Sequence, residues 1–187
     1  VLPAGKTVHV TVNQTDTGLD IAVEGRIAPD DRTKRAAAEA VRAGGFARLT
    51  VNGEIILAPK RPLIAFGDVV VSPPPGAFLQ AVPAMEEMMA GLVTGHMAKS
   101  KRVADLYAGC GTFALRLAKA STVHAVEGDG PALSALDRGF RDNSDKKLKP
   151  VTVERRDLVR RPMTAHELRI YDGVVFDPPR AGAEAQT

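Results

Sequence analysis

Apolar and polar residues alternate from the start of the chain. In KTVHVTVNQTDTGLDIAVEG, Val8, Val10 and Val12 fall on one face of a strand, and Leu19, Ile21 and Val23 on one face of the next. The polar NQTDTG between them, with Gly18, supplies a turn, so a hairpin is expected. The period then lengthens. DDRTKRAAAEAVRA, residues 30–43, predicts a helix capped by Asp30 or Asp31 and stopped at Gly44–Gly45. ARLTVNGEIILAP predicts a second hairpin turning at Asn52–Gly53, because both central positions of the tightest hairpin turn need left-handed backbone. LIAFGDVVVS predicts one further strand. The prolines Pro73 to Pro75 then close a β-rich domain over residues 1–76.

From Phe78 the pattern changes. VPAMEEMMAGLVTGHM is helical, with Met85, Met88, Met89, Leu92 and Val93 at the 3.6-residue period. That stripe is expected to face the core, since methionine fills irregular gaps. Strand and helix signals then alternate: RVADLY, TFALRLAKAS, TVHAVEG, GPALSALDRGFRDN, PVTVERRD, TAHELR, YDGVVFD. Such alternation predicts βαβ units on a parallel, doubly wound sheet over residues 77–187.

Composition narrows the class only a little. Of 187 residues, 44% are hydrophobic and 25% charged, an ordinary globular mixture. Aromatics make up 4%, without tryptophan, so the core must be built from Val, Leu, Ala and Met. A net charge of +3 fits an acidic partner such as nucleic acid without specifying one. A single cysteine, Cys110, excludes a disulfide framework and a cysteine-based zinc or iron–sulfur site within the chain. No apolar run approaches the roughly 18–20 residues of a membrane span. An intracellular, cytoplasmic protein without a membrane partner is expected. The chain opens on Val1 and closes on AGAEAQT just after a strand, and is expected to be part of a longer protein.

DLYAGCGTFALRLA carries candidate chemistry. A strand runs into Gly109–Cys110–Gly111 and then a helix, the arrangement by which glycines let backbone approach a ligand at a helix N-terminus. The third glycine of a dinucleotide turn is here Ala114. Glu127 ends the next strand, 16 residues past Gly111, where a carboxylate can accept from ribose hydroxyls, and Asp157 ends the third. Gly109, Gly111, Glu127 and Asp157 are expected to line one crevice for an adenosine. At this point both a nicotinamide dinucleotide and S-adenosylmethionine fit.

The fourth strand separates them. VVFDPPRAG ends in Asp177-Pro178-Pro179, which read blandly is a rigid exit from the strand. In methyltransferases an Asp/Asn/Ser-Pro-Pro motif here grips the target base, and an aromatic follows where exocyclic amino groups are methylated. This chain has Arg180 instead. With TDTGLDIAVEG, PPGAFLQAVPAMEE, VADLYAGCGTFALRLA, VHAVEGD and RDL in order before FDPPRAG, essentially the whole chain resembles the RNA 5-methyluridine (uracil-C5) methyltransferases. The resemblance implies part of a Rossmann-like S-adenosylmethionine-dependent domain preceded by a small β-rich α+β domain. It implies a uridine substrate in RNA, and AGCGTFAL and DPPRAGAEAQ favour ribosomal (23S) over transfer RNA. It assigns Gln80 to the cofactor and uridine side, and Tyr107, Gly109, Gly111 and Thr112 to the cofactor. The Thr112 position is often Asn in relatives. Glu127 is assigned to the ribose, Asp157 to the adenine side, and Asp177, with Gln80, to the reaction centre.

Carbon 5 of uracil needs activation, which the resemblance assigns to a thiolate adding at carbon 6, with a base later removing the carbon 5 proton. In the family both groups lie in later blocks, beyond Thr187, and Cys110 is expected to be a small packing residue of the turn. The chain alone is therefore expected to bind cofactor weakly and not to methylate RNA. An iron–sulfur centre, which some members carry, would belong to the rest of the parent protein, as would an N-terminal RNA-binding barrel. The basic run Lys146 to Arg161, with Lys99, Lys101 and Arg102, reads either as a solvated sheet edge or as an RNA-backbone contact. Three other readings stay open: a different S-adenosylmethionine-dependent rRNA methyltransferase, a nicotinamide dehydrogenase, and a non-catalytic RNA-binding module. Oligomeric state is left open.

Overall fold

The computed structural model describes residues 7–28, 30–80, 82–179 and 182–186. It divides into two units, Val1–Ile64 with Ser72–Ala81 and Ala65–Val71 with Val82–Thr187.

The first unit is a four-stranded sheet in the order β1-β2-β3-β4. Strands β1 (Val8–Thr15) and β2 (Gly18–Gly25) form the expected antiparallel hairpin. Helix α1 (Asp31–Ala43) carries the chain across to β3 (Arg48–Val51), which pairs with β2 in parallel. The Asp30 carboxylate caps α1 by accepting from the Thr33 N–H at 2.8 Å, and Gly44 ends it. Asn52 (φ 49°) and Gly53 (φ 80°) turn β3 into β4 (Glu54–Leu57).

The two faces of this sheet differ sharply. On one, the cross-strand pairs Val10–Val23, Val12–Ile21, Ile21–Leu49 and Val23–Val51 make a continuous apolar surface. On the other, Asp20, Ala22, Arg48 and Thr50 are buried. Residues 72–80 lie over that second face: Arg48 Nη2 donates to the Pro73 carbonyl at 3.0 Å and Asn13 Nδ2 to the Ala77 carbonyl at 2.9 Å. Asp20 and Arg48, register partners on β2 and β3, form a bidentate ion pair at 2.8 and 2.7 Å.

The stretch expected as one strand before the prolines is two. β5 (Ile64–Phe66) and β6 (Val69–Val71) fold back at Gly67, whose φ of 64° no extended residue could adopt. Residues Ala65–Val71 group with the second unit although they precede the proline run. The Asn143 side chain brackets Val70, donating to its carbonyl at 2.9 Å and accepting its N–H at 3.2 Å. Val71 fills the space left by the missing Cβ of Gly139.

The second unit is the parallel sheet that the alternating pattern predicts. Its order is β10 (Gly173–Phe176), β7 (Arg102–Leu106), β8 (Thr122–Glu127), β9 (Val151–Arg155). Between strands run α3 (Ala114–Leu117), α4 (Gly130–Asp142) and α5 (Ala165–Leu168), with α2 (Pro83–His96) ahead of β7. Val103, Leu106, Leu115, Val123, Val126 and Leu136 form the fully buried core. The fold class is the one expected, a Rossmann-like domain preceded by a β-rich α+β unit.

Two expectations fail within it. α3 is a single turn rather than the full length of TFALRLAKAS. The methionine stripe of α2 does not face the core: Met85, Met88 and Leu92 are 50, 60 and 71% exposed. The helix buries Ala90 instead and seats Glu86 against a cation of α3, so a small residue and an ion pair set its rotation. No helix among the described residues is long and apolar enough to cross a membrane.

Candidate functional site

The carboxyl ends of four parallel strands meet along one rim, where open α/β sheets bind ligands. β7 delivers the turn. Tyr107 follows it with φ 63°, a left-handed conformation that costs a non-glycine residue on the order of 1–3 kcal/mol and concentrates at functional sites. Gly109 (φ 55°) has nothing within 4 Å of where a Cβ would stand, so its backbone is open to a ligand. At Gly111 (φ 101°) a Cβ would lie 2.9 Å from both Leu115 and Leu136, so this glycine lets the turn press onto the core.

β8 delivers Glu127, which straps two loops together. One carboxylate oxygen accepts the Gly109 N–H at 2.8 Å and the other the Asp129 N–H, also at 2.8 Å. β9 delivers Asp157, whose Oδ1 accepts from the N–H groups of Val159 and Arg160 at 3.1 and 3.2 Å. Asp177 follows β10 and is exposed. The Tyr107 ring meets Phe176 edge-on at 5.7 Å. Its hydroxyl is buried without a hydrogen-bond partner, and burial, then the charges of Asp157 and Glu127, push the phenol above its usual range.

Tyr107, Gly109, Gly111, Thr112, Glu127, Asp157 and Asp177 thus share one sheet rim. Gln80 lies in the other unit, half-buried in the coil that ends the described residues 30–80. Arg180 falls outside the described residues.

Sequence reasoning missed Asp105, four residues before Gly109. It is fully buried, and neither carboxylate oxygen has a hydrogen-bond partner. Burial pushes its pKa up to about 7; the nearby Ala114 N–H opposes the rise, and the charges of Asp177 and Glu127 add to it. A charged residue within VADLY should have stood out, because a strand interior buried on both faces has no water for a carboxylate. The rim thus carries the carboxylates of Glu127, Asp157 and Asp177, and beside it lie a buried acid and a buried phenol whose oxygens have no hydrogen-bond partner. That donor and acceptor set fits a ligand bearing both ribose hydroxyls and positive charge. Among the described residues no group of His, Cys, Asp and Glu is arranged to hold a metal ion.

No protein-family model matches the chain. Curated relatives do. It is 55% identical over 178 residues to an uncharacterised RNA methyltransferase of Rhizobium meliloti, covering 95% of this chain and 42% of that protein. A second uncharacterised RNA methyltransferase, from Mesorhizobium japonicum, is 55% identical over 182 residues, covering 97% and 44%. The 23S rRNA (uracil(1939)-C(5))-methyltransferase RlmD of Tolumonas auensis is 32% identical over 117 residues, 59% of this chain and 26% of RlmD. Among solved structures, the Pyrococcus abyssi tRNA (uracil-54, C5)-methyltransferase superposes with a TM-score of 0.70 at 18% identity, over 95% of this chain and 45% of that one. These relatives are named RNA methyltransferases, and the similarity to RlmD supports the uracil-C5 family that the sequence resembles. The chain spans less than half the length of the first two relatives. A more distant fold neighbour is the M. jannaschii tRNA m1G37 methyltransferase, with a TM-score of 0.54 at 14% identity.

The chemistry that the resemblance implies needs a nucleophilic thiol, and the sequence has one cysteine. Cys110 does not suit the part. It is buried, and burial, then the charges of Asp129 and Glu127, push its thiol up to about 12. The thiolate is the reactive form. Iodoacetamide at pH 7.5 should therefore alkylate native Cys110 at least about a hundredfold more slowly than a free thiol, and at the ordinary rate in urea. Rapid native labelling followed by mass spectrometry would reverse this assignment.

The basic run is not a uniform surface either. Arg156 is an internal clamp: its guanidinium donates to Glu167 at 2.7 and 3.2 Å and to the Pro162 carbonyl at 2.8 Å. The Arg155 Nε reaches the Gly128 carbonyl at 3.4 Å, beside the Glu127 strap.

Proposed function

We propose that this chain carries the S-adenosylmethionine-binding half of an enzyme that methylates carbon 5 of a uridine in RNA, ribosomal (23S) RNA ahead of transfer RNA. The observation that carries the proposal is the acid-lined glycine turn: Glu127 strapped across Gly109 and Asp129, near a buried Asp105 whose charge no cation among the described residues balances.

S-adenosylmethionine supplies an electrophilic methyl group on a sulfonium. The rim residues do the rest. Glu127 accepts from the ribose hydroxyls, and Asp157 receives the adenine side. The uncovered side of Gly109 and the turn ending at Thr112 face the amino-acid end, and the buried Asp105 supplies negative charge nearby. Tyr107, held by its left-handed backbone, closes the rim with its ring packed on the core. Gln80 and Asp177 serve the uracil: an amide both donates to and accepts from a uracil edge, and a carboxylate accepts from a ring N–H. The thiolate that activates carbon 6 is assigned to the remainder of the parent protein, since Cys110 is buried and protonated.

Titration with S-adenosylhomocysteine and with NADH, followed by calorimetry, tests the cofactor. Binding of the first alone supports the proposal, and binding of NADH alone would overturn it. The base is tested with the full-length parent and RNA tritiated at uridine carbon 5. Tritium release dependent on S-adenosylmethionine is expected. Methyl transfer onto guanosine or cytidine would replace this reading with that of another rRNA methyltransferase.

Asp105 makes a pH prediction. Its folded pKa of about 7 lies above the unfolded value, so the fold favours the protonated acid. Stability should fall as pH rises from the ordinary aspartate range, about 4, towards 7. A cationic ligand favours the ionised acid instead. Affinity for S-adenosylmethionine should therefore rise between pH 6 and 8, with proton release near neutrality. Asp105→Asn should flatten both profiles, and an unchanged affinity profile in that variant would remove Asp105 from the site.

A further inference from the structure

A helix of one turn has little stability of its own, because nucleation costs more than so few hydrogen bonds return. Yet α3 follows the glycine turn directly and sets where it points. What holds it is Arg116, whose side chain is only 9% exposed. Its Nη1 donates to the Thr112 carbonyl at 2.9 Å. Its Nη2 donates to Glu86 at 2.6 Å and Glu87 at 2.8 Å, both in the first turns of α2. The guanidinium also lies over the Phe66 ring, 5.5 Å from its centroid. Just past α3, Lys119 reaches Asp68 at 2.6 Å, tying the same segment to the same hairpin.

We propose that Arg116 is a positioning residue for the cofactor turn, fixing Gly109–Thr112 through the Thr112 carbonyl and locking that turn to α2. The proposal rests on the reading of this rim as the S-adenosylmethionine site. Thr112 closes the glycine turn, so a shift of its carbonyl tilts the N–H groups beside it. A guanidinium can hold a carbonyl, two carboxylates and an aromatic face at once because its donors form a rigid planar fork. An ammonium at the same place cannot span them. Burial of the cation against Glu86, whose side chain is 17% exposed, makes that link stiff, since either partner alone would be an uncompensated charge, while Glu87 holds the cation from the solvent side.

The test measures S-adenosylhomocysteine affinity and amide hydrogen exchange in wild type, Arg116→Met, Arg116→Lys and Glu86→Gln. Arg116→Met should bind about tenfold more weakly and speed exchange at residues 109–113, while β7 and β8 stay protected. Arg116→Lys should recover only part of the affinity. Glu86→Gln should weaken binding less, and adding it to Arg116→Met should cost nothing further, because its effect runs through the arginine. Wild-type affinity and exchange in Arg116→Met would overturn the proposal. If Arg116→Met does not fold, Glu86→Gln/Glu87→Gln takes its place, and unchanged binding and exchange there would overturn it equally. If wild type itself binds no S-adenosylhomocysteine, the cofactor reading fails. Exchange at the turn still decides whether Arg116 positions it.

Discussion

Glu127→Ala should weaken S-adenosylhomocysteine binding by about a hundredfold, the largest loss expected of any single substitution on the rim. Two effects combine. The proposed ribose contact goes, and so do both hydrogen bonds from the carboxylate to the Gly109 and Asp129 N–H groups. Hydrogen bonds to a charged acceptor contribute about 1.5–3 kcal/mol each, so the strap alone is a substantial part of how the turn is held. Glu127→Gln should rescue little. Its NH2 would face one of the two backbone N–H groups, donor against donor, at whichever end it turned. Glu127→Asp should also fail, being one methylene short of both loops. Calorimetry on the three variants, with melting curves as a fold control, checks this. Near wild-type affinity in the alanine variant would show that Glu127 only braces the loops.

The second large effect lies in the other unit and concerns stability. Asp20→Ala should destabilise the β1–β4 sheet by about 3–5 kcal/mol, the usual result of stripping one partner from a buried ion pair. Arg48 would keep the Pro73 carbonyl as acceptor, but the guanidinium that holds this carbonyl would no longer be fixed by a carboxylate. Asp20→Ala/Arg48→Met should restore most of the loss, because it removes the stranded charge as well. Urea unfolding read by hydrogen exchange at β2 and β3 distinguishes the outcomes. A loss under about 1 kcal/mol would mean that water reaches the pair.

Local chemistry made much of this molecule legible. The Asn52–Gly53 turn, the Asp30 cap and the βαβ alternation each depend on neighbours in sequence, and each formed where its residues predicted. The expectations that failed depend on a partner far along the chain or on a backbone conformation that apolar pattern does not show. Nothing in AMEEMMAGL says that Glu86 will meet Arg116, thirty residues on, and so rotate Met85, Met88 and Leu92 outward. LIAFGDVVVS has the apolar density of a strand, and only the conformation of Gly67 breaks it. Gly109, Gly111, Glu127, Asp157 and Asp177 could be placed on one rim because each sits at a strand end, a position that topology alone brings there. Asp105 was passed over because it sits inside a strand, where an acid looks like an error until its surroundings are seen. Asp20 and Arg48 were hidden for a similar reason: two charges that read as surface residues face each other beneath a proline-rich cover.

The burial of Cys110 has a practical side. A thiol that stays protonated and covered at neutral pH is silent to maleimides. Any cysteine introduced on the surface, at Met88 of α2 or at Val12 of β1, would then be the sole reactive thiol on this chain. Fluorophore pairs across the two units could be attached without first deleting the native residue. The separation of the units, and whether cofactor changes it, would then be open to single-molecule distance measurement on an otherwise unaltered sequence.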